Sequence, residues 1–129
     1  MIRSLTPNLM VNNVEETIEY YTDILGFSLL KTIPEKGELD WAMVKRNEVI
    51  LMFQSSKSLK NELPKLKSQK PGGGLTFYIK VDRITELHEE LMENDVEIIS
   101  DLESTFYNTI EFSIIDINGY ILTFSEEKN

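Results

Sequence analysis

Apolar and polar residues follow two series of patterns along the chain, and both series predict the same order of elements. In the first series Val14, Ile18, Tyr21 and Leu25 recur every three or four residues, which predicts an amphipathic helix between the cap Asn13 and Gly26. Short apolar or alternating runs around this helix predict strands at residues 4–11, 27–33, 39–45 and 49–54. The second series predicts strands at 75–81, 96–99, 109–116 and 120–125, with a helix at 83–93.

The two series are copies of one another. Residues 11–21 are echoed by residues 81–91, and Val49–Phe53 is echoed at nearly the same offset by Tyr120–Phe124. A repeat of this kind indicates one supersecondary unit used twice. We predict a single α+β domain of two βαβββ modules related by a pseudo-twofold axis, with a site in the cleft between them. The predicted limits are 1–129 for the domain, about 1–56 and 74–127 for the modules, and about 57–73 for the linker.

Composition excludes several classes of function. The chain has no cysteine, which excludes disulfides, thiolate nucleophiles and zinc–thiolate sites. Its formal net charge of -9 predicts no nucleic-acid partner, because phosphates require a basic surface. No apolar run approaches the length of a membrane span, and the N-terminus has no signal-peptide pattern. We therefore expect a cytoplasmic protein without a membrane partner.

Positive charge is concentrated in the predicted linker. Residues 57–70 contain five lysines and one glutamate, and they run into Pro71 and three glycines. This composition is typical of a surface connection between structural units. The alternative is a lid over the cleft or a clasp between two subunits.

Several short motifs occur in a specific order along most of the chain. They are Pro7–Val11, Thr17–Phe27, Trp41–Val44, Val81-Asp82, and Glu111-Phe112 followed by Asp116–Tyr120. In this order the chain resembles the vicinal oxygen chelate superfamily, which contains glyoxalase I, bleomycin-resistance proteins and extradiol dioxygenases. The resemblance implies a curled eight-stranded mixed sheet around a cleft, and a homodimer. Two residues depart from the family pattern: Ile117 replaces a proline, and Asn108 stands where a glycine is usual.

The resemblance also assigns positions for metal ligands, which metal-using members place on four strands. These positions fall on Thr6, Leu51, Thr76 and Thr123. Three threonines and a leucine do not provide the carboxylate and imidazole donors that a divalent cation requires. We therefore expect no metal and no other cofactor. The only histidine, His88, lies on the second predicted helix, where a packing or surface role is expected.

The mapped positions and the strand alternation together predict a ligand-binding face that is aromatic and apolar with a few polar groups. Such a lining is typical of a small-molecule pocket. The alternative is that these side chains fill the interior or a dimer interface. The predicted ligand-binding residues are Thr6, Asn8, Met10, Trp41, Leu51, Phe53, Thr76, Tyr78, Tyr107 and Thr123.

Two functions remain open from the sequence. The first is a metal-free protein, similar to bleomycin-resistance proteins, that binds or sequesters an aromatic or cationic compound. The second is an enzyme related to glyoxalases or dioxygenases with a non-standard or metal-independent site. Glu111 is the one candidate general base, since apolar walls around it would raise its pKa. The alternative for Glu111 is a structural pairing within the sheet.

Overall fold

The computed structural model describes all residues 1–129, which form two compact units, Met1–Pro71 and Gly72–Asn129. Each unit contains one four-stranded mixed sheet and a helix that crosses between its first two strands. The prediction of two βαβββ modules is confirmed, and the eight strands are divided equally between two sheets. None of the helices combines the length and the apolar character that a membrane span requires.

The first sheet is built from four strands in the order β1-β4-β3-β2, with β1 parallel to β4 and the other pairs antiparallel. Asn13 caps α1 as the sequence predicts, because its side-chain oxygen accepts the backbone N–H of Glu16 at 2.8 Å. The helix continues into a π-helical turn at Tyr20–Ile24. The elements are β1 (Asn8–Val11), α1 (Val14–Glu19), β2 (Ser28–Ile33), β3 (Trp41–Arg46), β4 (Val49–Ser55) and α2 (Ser56–Glu62).

The second sheet repeats this topology as β5-β8-β7-β6, again with the outer first strand parallel to the last. Helix α3 packs against one face, where His88 meets the ring of Phe112 edge-on at 5.1 Å. Phe112 in turn contacts Phe124 of the neighbouring strand at 5.1 Å. The elements are β5 (Thr76–Lys80), α3 (Ile84–Glu93), β6 (Glu97–Ser104), β7 (Thr109–Ile115) and β8 (Ile121–Glu127).

The largest differences from the predicted boundaries concern β1, β6 and the linker. Strand β1 begins at Asn8, because Pro7 has no backbone N–H and contributes only its carbonyl, which accepts from Met52 at 2.9 Å. Strand β6 continues to Ser104, well beyond the predicted end at residue 99. The predicted linker includes most of α2, which Ser55 caps and Leu59 anchors in the first unit.

The prediction that Leu51 and Phe53 line a ligand-binding face is wrong. Both are buried, and the Phe53 ring packs 4.7 Å from Tyr21 on the helix side of the sheet. Successive side chains of a strand point to opposite faces, so Met52 and Gln54 occupy the other face. Strand β4 reads Val-Ile-Leu-Met-Phe, and a run that is apolar throughout does not indicate which residues face the core.

Candidate functional site

The face of the second sheet opposite α3, here called the distal face, carries a cluster of polar side chains. Because Phe112 packs against the helix, its neighbour Glu111 points to the distal face. Glu111 is paired in register with Ser125, and Ser113 is paired with Thr123, so these side chains share that face. Tyr78 joins them from the edge strand β5, where it is paired with Thr123.

Four hydroxyl groups converge on the carboxylate of Glu111. Oε1 accepts the hydroxyl of Tyr107 at 2.8 Å. Oε2 accepts the hydroxyls of Tyr78 at 2.5 Å, Ser125 at 2.9 Å and Thr109 at 3.0 Å. We call these five residues the Glu111 network. It joins β5, β7, β8 and the connection between β6 and β7.

Burial within the network is graded from the sheet to the solvent. Thr109 and Ser125 are buried against the sheet, whereas about half of each tyrosine, Tyr78 and Tyr107, is exposed. The carboxylate of Glu111 is therefore supported from below by small hydroxyls and flanked by two exposed aromatic rings. An arrangement of this kind offers both ring faces and phenol oxygens to a molecule in solvent.

The network also sets the protonation states of its members. Partial burial alone would raise the pKa of Glu111, but the hydrogen bonds from Tyr78, Tyr107, Ser125 and Thr109 outweigh it and lower that pKa. The hydrogen bond to Glu111 is the largest cause that raises the pKa of Tyr78, and the same is true of Tyr107. At neutral pH the carboxylate is therefore ionised and both phenols are protonated. Glu111 is surrounded by hydroxyls rather than the apolar walls that would have raised its pKa.

An open groove of about 700 Å³ runs beside the network within the second unit. Its lining is polar, in contrast to the aromatic and apolar lining that the sequence predicts. The lysine Lys80 lies 3.8 Å from Glu127, and both side chains are well exposed. The lining residues are Tyr78, Lys80, Val81, Asp82, Tyr107, Asn108, Thr109, Ser125 and residues 126–129.

The tight connection before β7 places Tyr107 next to Glu111. Asn108 has a φ of 67°, in the left-handed region where glycine is favoured and asparagine is tolerated. Its side-chain amide donates to the carbonyl of Lys128 at 3.2 Å. Asparagine therefore serves at a position where the resemblance implies glycine, and it adds a hydrogen bond that glycine lacks.

The first sheet has its own distal face, with a different character. Asn8 donates from Nδ2 to Oε1 of Gln54 at 2.8 Å, and Gln54 donates on to Ser58 at 3.0 Å. In register beside them lie Trp41, paired with Gln54, and Met43, paired with Met52. This face combines an amide pair with a tryptophan and methionines.

The predicted site residues are thus only partly brought together. Tyr78, Tyr107 and Glu111 form one network, and Thr123 contacts Ser113 at 2.7 Å on the same face. Thr76 is exposed at the start of β5. In the first unit Asn8 and Trp41 are in register with Gln54, Met10 is buried in β1, and Thr6 precedes that strand.

Two members of the network, Ser125 and Thr109, were not predicted from the sequence. Ser125 lies two residues after Thr123, so the period of two along β8 was the signal that could have found it. Thr109 lies two residues before Glu111 on the same strand, and the same argument applies.

The positions that the resemblance assigns to metal ligands do not fit a divalent cation. The register pairs Asn8 with Met52 and Tyr78 with Thr123, so Met52 rather than the buried Leu51 is the counterpart of Thr123. A thioether and threonine hydroxyls are poor ligands for the hard or borderline cations concerned. No three histidine, aspartate or glutamate side chains in residues 1–129 are grouped to hold a metal ion.

His88 has the packing role that was expected of it. Besides its contact with Phe112, its Nε2 lies 2.7 Å from Oδ1 of Asp101 on the edge strand β6. The backbone N–H of Leu102 and this histidine both lower the pKa of Asp101. This pair therefore ties α3 to the edge of the second sheet.

Comparison with known proteins identifies the family. The model of the Glyoxalase/Bleomycin resistance protein/Dioxygenase superfamily matches residues 3–124. The chain belongs to this superfamily, which confirms the resemblance seen in the sequence. No match was found among curated proteins.

Solved structures share the fold at low sequence identity. A glyoxalase/bleomycin resistance protein/dioxygenase from Nocardioides is 18% identical with a TM-score of 0.80, over 100% of this chain and 86% of that one. A glyoxalase-related enzyme from Clostridium phytofermentans is 22% identical with a TM-score of 0.75, over 98% and 96%. TioX from Micromonospora sp. ML1 is 15% identical with a TM-score of 0.75, over 98% and 99%. These similarities support the fold and leave the ligand open.

Proposed function

We propose that this protein is a metal-free, bleomycin-resistance-like binding protein that binds or sequesters an aromatic or cationic compound. The binding site is the distal face of the second sheet, around the Glu111 network. The protein acts as a cytoplasmic homodimer and needs no cofactor. The observation that carries the proposal is an ionised carboxylate held between two half-exposed tyrosines, Tyr78 and Tyr107.

The chemistry of the network favours binding over turnover. A general base works best when its pKa lies near the operating pH. The hydroxyl donors lower the pKa of Glu111, while the carboxylate raises the pKa of Tyr78 and of Tyr107. Both changes move the pKa values of these groups further from neutral pH. Neither the carboxylate nor a phenol therefore exchanges protons readily at neutral pH. Rings and fixed dipoles remain useful for holding a ligand.

The donor set supports the metal-free part of the proposal. Metal-dependent isomerisation and dioxygenation require a Lewis acid that polarises substrate oxygens. Thr6, Met52, Thr76 and Thr123 offer no carboxylate or imidazole for such an ion. Elemental analysis of protein purified without chelator should give less than stoichiometric zinc, nickel, iron or manganese.

Exposed edge strands support the dimer. Strand β2 lies at the edge of the first sheet and exposes Leu29, Leu30 and Ile33. An exposed apolar edge strand is a template for association, and a second subunit is one way to cover it. Light scattering at micromolar concentration should therefore give the mass of two chains, and the mass of one chain would contradict this part of the proposal.

The binding function is tested by a ligand screen read by amide NMR. We expect aromatic and cationic compounds to shift the amides of Tyr78, Tyr107 and Glu111, and Tyr78→Ala to weaken binding. Met92→Ala is the matched control, because Met92 is as exposed as Tyr78 but lies on α3, on the opposite side of the sheet. A screen in which no compound shifts these amides would overturn the proposal.

A further inference from the structure

The geometry of the Glu111 network fixes the direction in which its hydroxyl protons point. An ionised carboxylate has no proton and only accepts hydrogen bonds. Tyr78 and Tyr107 lie 2.5 and 2.8 Å from Glu111, so each phenol donates its single proton inward. Each phenol oxygen therefore presents only lone pairs to a molecule that approaches from solvent.

The smaller hydroxyls follow the same direction. The backbone N–H of Thr109 donates to Oγ1 of Thr105 at 3.1 Å, and the Thr105 hydroxyl has two acceptors within reach, Oγ1 of Thr109 at 2.7 Å and the Thr109 carbonyl at 3.4 Å. Thr109 then donates to Glu111. Ser125 lies 2.8 Å from the Tyr78 oxygen and 2.9 Å from the carboxylate, so its proton also stays within the network. Each hydroxyl proton thus has an acceptor within the cluster.

An apolar surface adjoins these acceptors. Phe106 is fully exposed, and its ring stands perpendicular to that of Tyr107 with centroids 5.0 Å apart. A phenylalanine left entirely in water gains nothing from burial within its own chain. Its position beside Tyr107 makes it available to the apolar part of a bound molecule.

The charges around the groove favour a cationic ligand over an anionic one. The lysines are fewer than the acids, and one of them, Lys80, is already close to Glu127. An excess of carboxylates repels an anion and attracts a cation. The carboxylates on or beside the groove are Asp82, Glu111, Glu126 and Glu127, against Lys80 and Lys128.

Building on the binding function proposed above, we propose that the site selects an amphiphilic cation: a protonated amine attached to an apolar body. The amine donates to the oxygens of Tyr78 and Tyr107 and lies against their rings, as cations do at aromatic faces. The apolar body packs on Phe106. Glu111 is a positioning residue that keeps both phenols as acceptors. An anion meets no outward hydroxyl proton of the network, and along the groove carboxylates outnumber lysines.

Three probes of similar size and different charge test this selectivity. Phenethylamine is a cation, phenethyl alcohol is neutral, and hydrocinnamate is an anion. Amide NMR titrations at neutral pH should show the amine binding about tenfold more tightly than the alcohol, the effect of one charge-assisted hydrogen bond. Hydrocinnamate should give no shift at the network. The shifted amides should belong to β5, β7 and the turn at Phe106 and Tyr107.

Two variants separate the positioning role of Glu111 from its charge. Glu111→Gln introduces an amide that donates, so at least one hydroxyl proton turns outward and the preference for amine over alcohol should disappear. Glu103→Gln is the matched control, because it removes the same charge from the register partner of Glu111 on β6. The control should keep the preference. Tyr78→Phe, which retains the ring but lacks the acceptor, should weaken amine binding more than alcohol binding.

Each contrary outcome has a distinct meaning. If no probe shifts the network, the binding function itself is contradicted together with this inference. If the alcohol or hydrocinnamate binds at the network as tightly as the amine, only the selectivity is overturned. If Glu103→Gln abolishes the preference for the amine as fully as Glu111→Gln does, the net negative charge of this face causes the preference. The positioning role proposed for Glu111 is then contradicted.

Discussion

Tyr78 and Glu111 lie on strands that are not neighbours, yet the phenol of one donates to the carboxylate of the other at 2.5 Å. Strand β8 runs between β5 and β7, and its buried Ser125 contacts both groups, at 2.8 Å from Tyr78 and 2.9 Å from Glu111. A single side-chain cluster therefore ties three strands together on the face opposite α3. The same cluster holds the carboxylate that we place at the ligand-binding site.

Acid should weaken the fold through Glu111. The hydroxyl donors outweigh burial and hold its pKa below the ordinary value of 4.5. A carboxyl group whose folded-state pKa is lowered stabilises the protein above its unfolded-state pKa, and this contribution is lost as pH falls through the folded-state value. We therefore expect the free energy of unfolding to fall below about pH 4.5, and this fall should be shallower in Glu111→Gln. Denaturant titrations at a series of pH values measure the free energy of unfolding of both proteins.

The two glutamates Glu111 and Glu103 provide an internal comparison for this prediction. No hydroxyl network surrounds Glu103, although it is the register partner of Glu111. Glu103→Gln should therefore leave the acid dependence of stability close to that of the unmodified protein. Equal slopes for the unmodified protein and Glu111→Gln would show that the network does not hold the carboxylate in its ionised form.

Core and distal positions on β4 should respond differently to truncation. Phe53 is fully buried against Tyr21, so Phe53→Ala should lower the free energy of unfolding by about 3–5 kcal/mol. Its neighbour Met52 faces the other side and is half-buried, so Met52→Ala should cost about 1 kcal/mol. Urea unfolding measures both variants. A larger loss for Met52→Ala would reverse the assignment of the two faces.

Two adjacent glycines should differ sharply in their tolerance of a side chain. Gly72 and Gly73 both have positive φ, at 81° and 73°, so alanine at either position should cost about 1–2 kcal/mol in backbone strain. At Gly72 the new methyl group would also lie 2.8 Å from the carbonyl oxygen of Asn118 and 2.9 Å from the backbone of Gly119. At Gly73 it would meet nothing within 4 Å. Gly72→Ala should therefore have the lower melting temperature, and equal melting temperatures would contradict this close approach.

The start of α3 should depend on a residue from another strand. Arg83, at the cap position, makes no side-chain capping bond. Instead, the carboxylate of Glu126 on β8 accepts the backbone N–H groups of Arg83 at 2.9 Å and Ile84 at 3.1 Å. Glu126→Ala should speed hydrogen exchange at the first turn of α3, because these amides lose their partner. Glu127→Ala removes the same charge one residue away and should leave exchange unchanged.

The sequence was sufficient to predict the modules because their signals are local and occur twice. Asn13 caps α1, and the chain order βαβββ follows from segments whose apolar spacing is unambiguous. Strand β8 alternates apolar residues with Thr123 and Ser125, so its faces can be assigned from sequence. Strand β4 has no such alternation, and the assignment of Leu51 and Phe53 to a ligand-binding face was therefore wrong.

The full length of β6 and the hydrogen-bond donors around Glu111 could be found only from the three-dimensional structure. Strand β6 lies at an edge and is largely exposed, so its polar residues after Ile99 show no apolar period that would reveal its full length. The contact between Tyr78 and Glu111 joins residues 33 positions apart across an intervening strand. Propensity and spacing carry no information about such a contact. Glu111 could be selected as a candidate from sequence, but its hydroxyl donors and lowered pKa could not.

A crystal structure of the protein with the tightest ligand from the screen tests the central claim most directly. We expect the ligand on the distal face of the second sheet, in contact with the rings of Tyr78 and Tyr107, with the hydrogen bonds to Glu111 intact. No metal ion should lie between ligand and protein. A ligand bound elsewhere with the Glu111 network uncovered, or one held through a metal ion, would contradict the account.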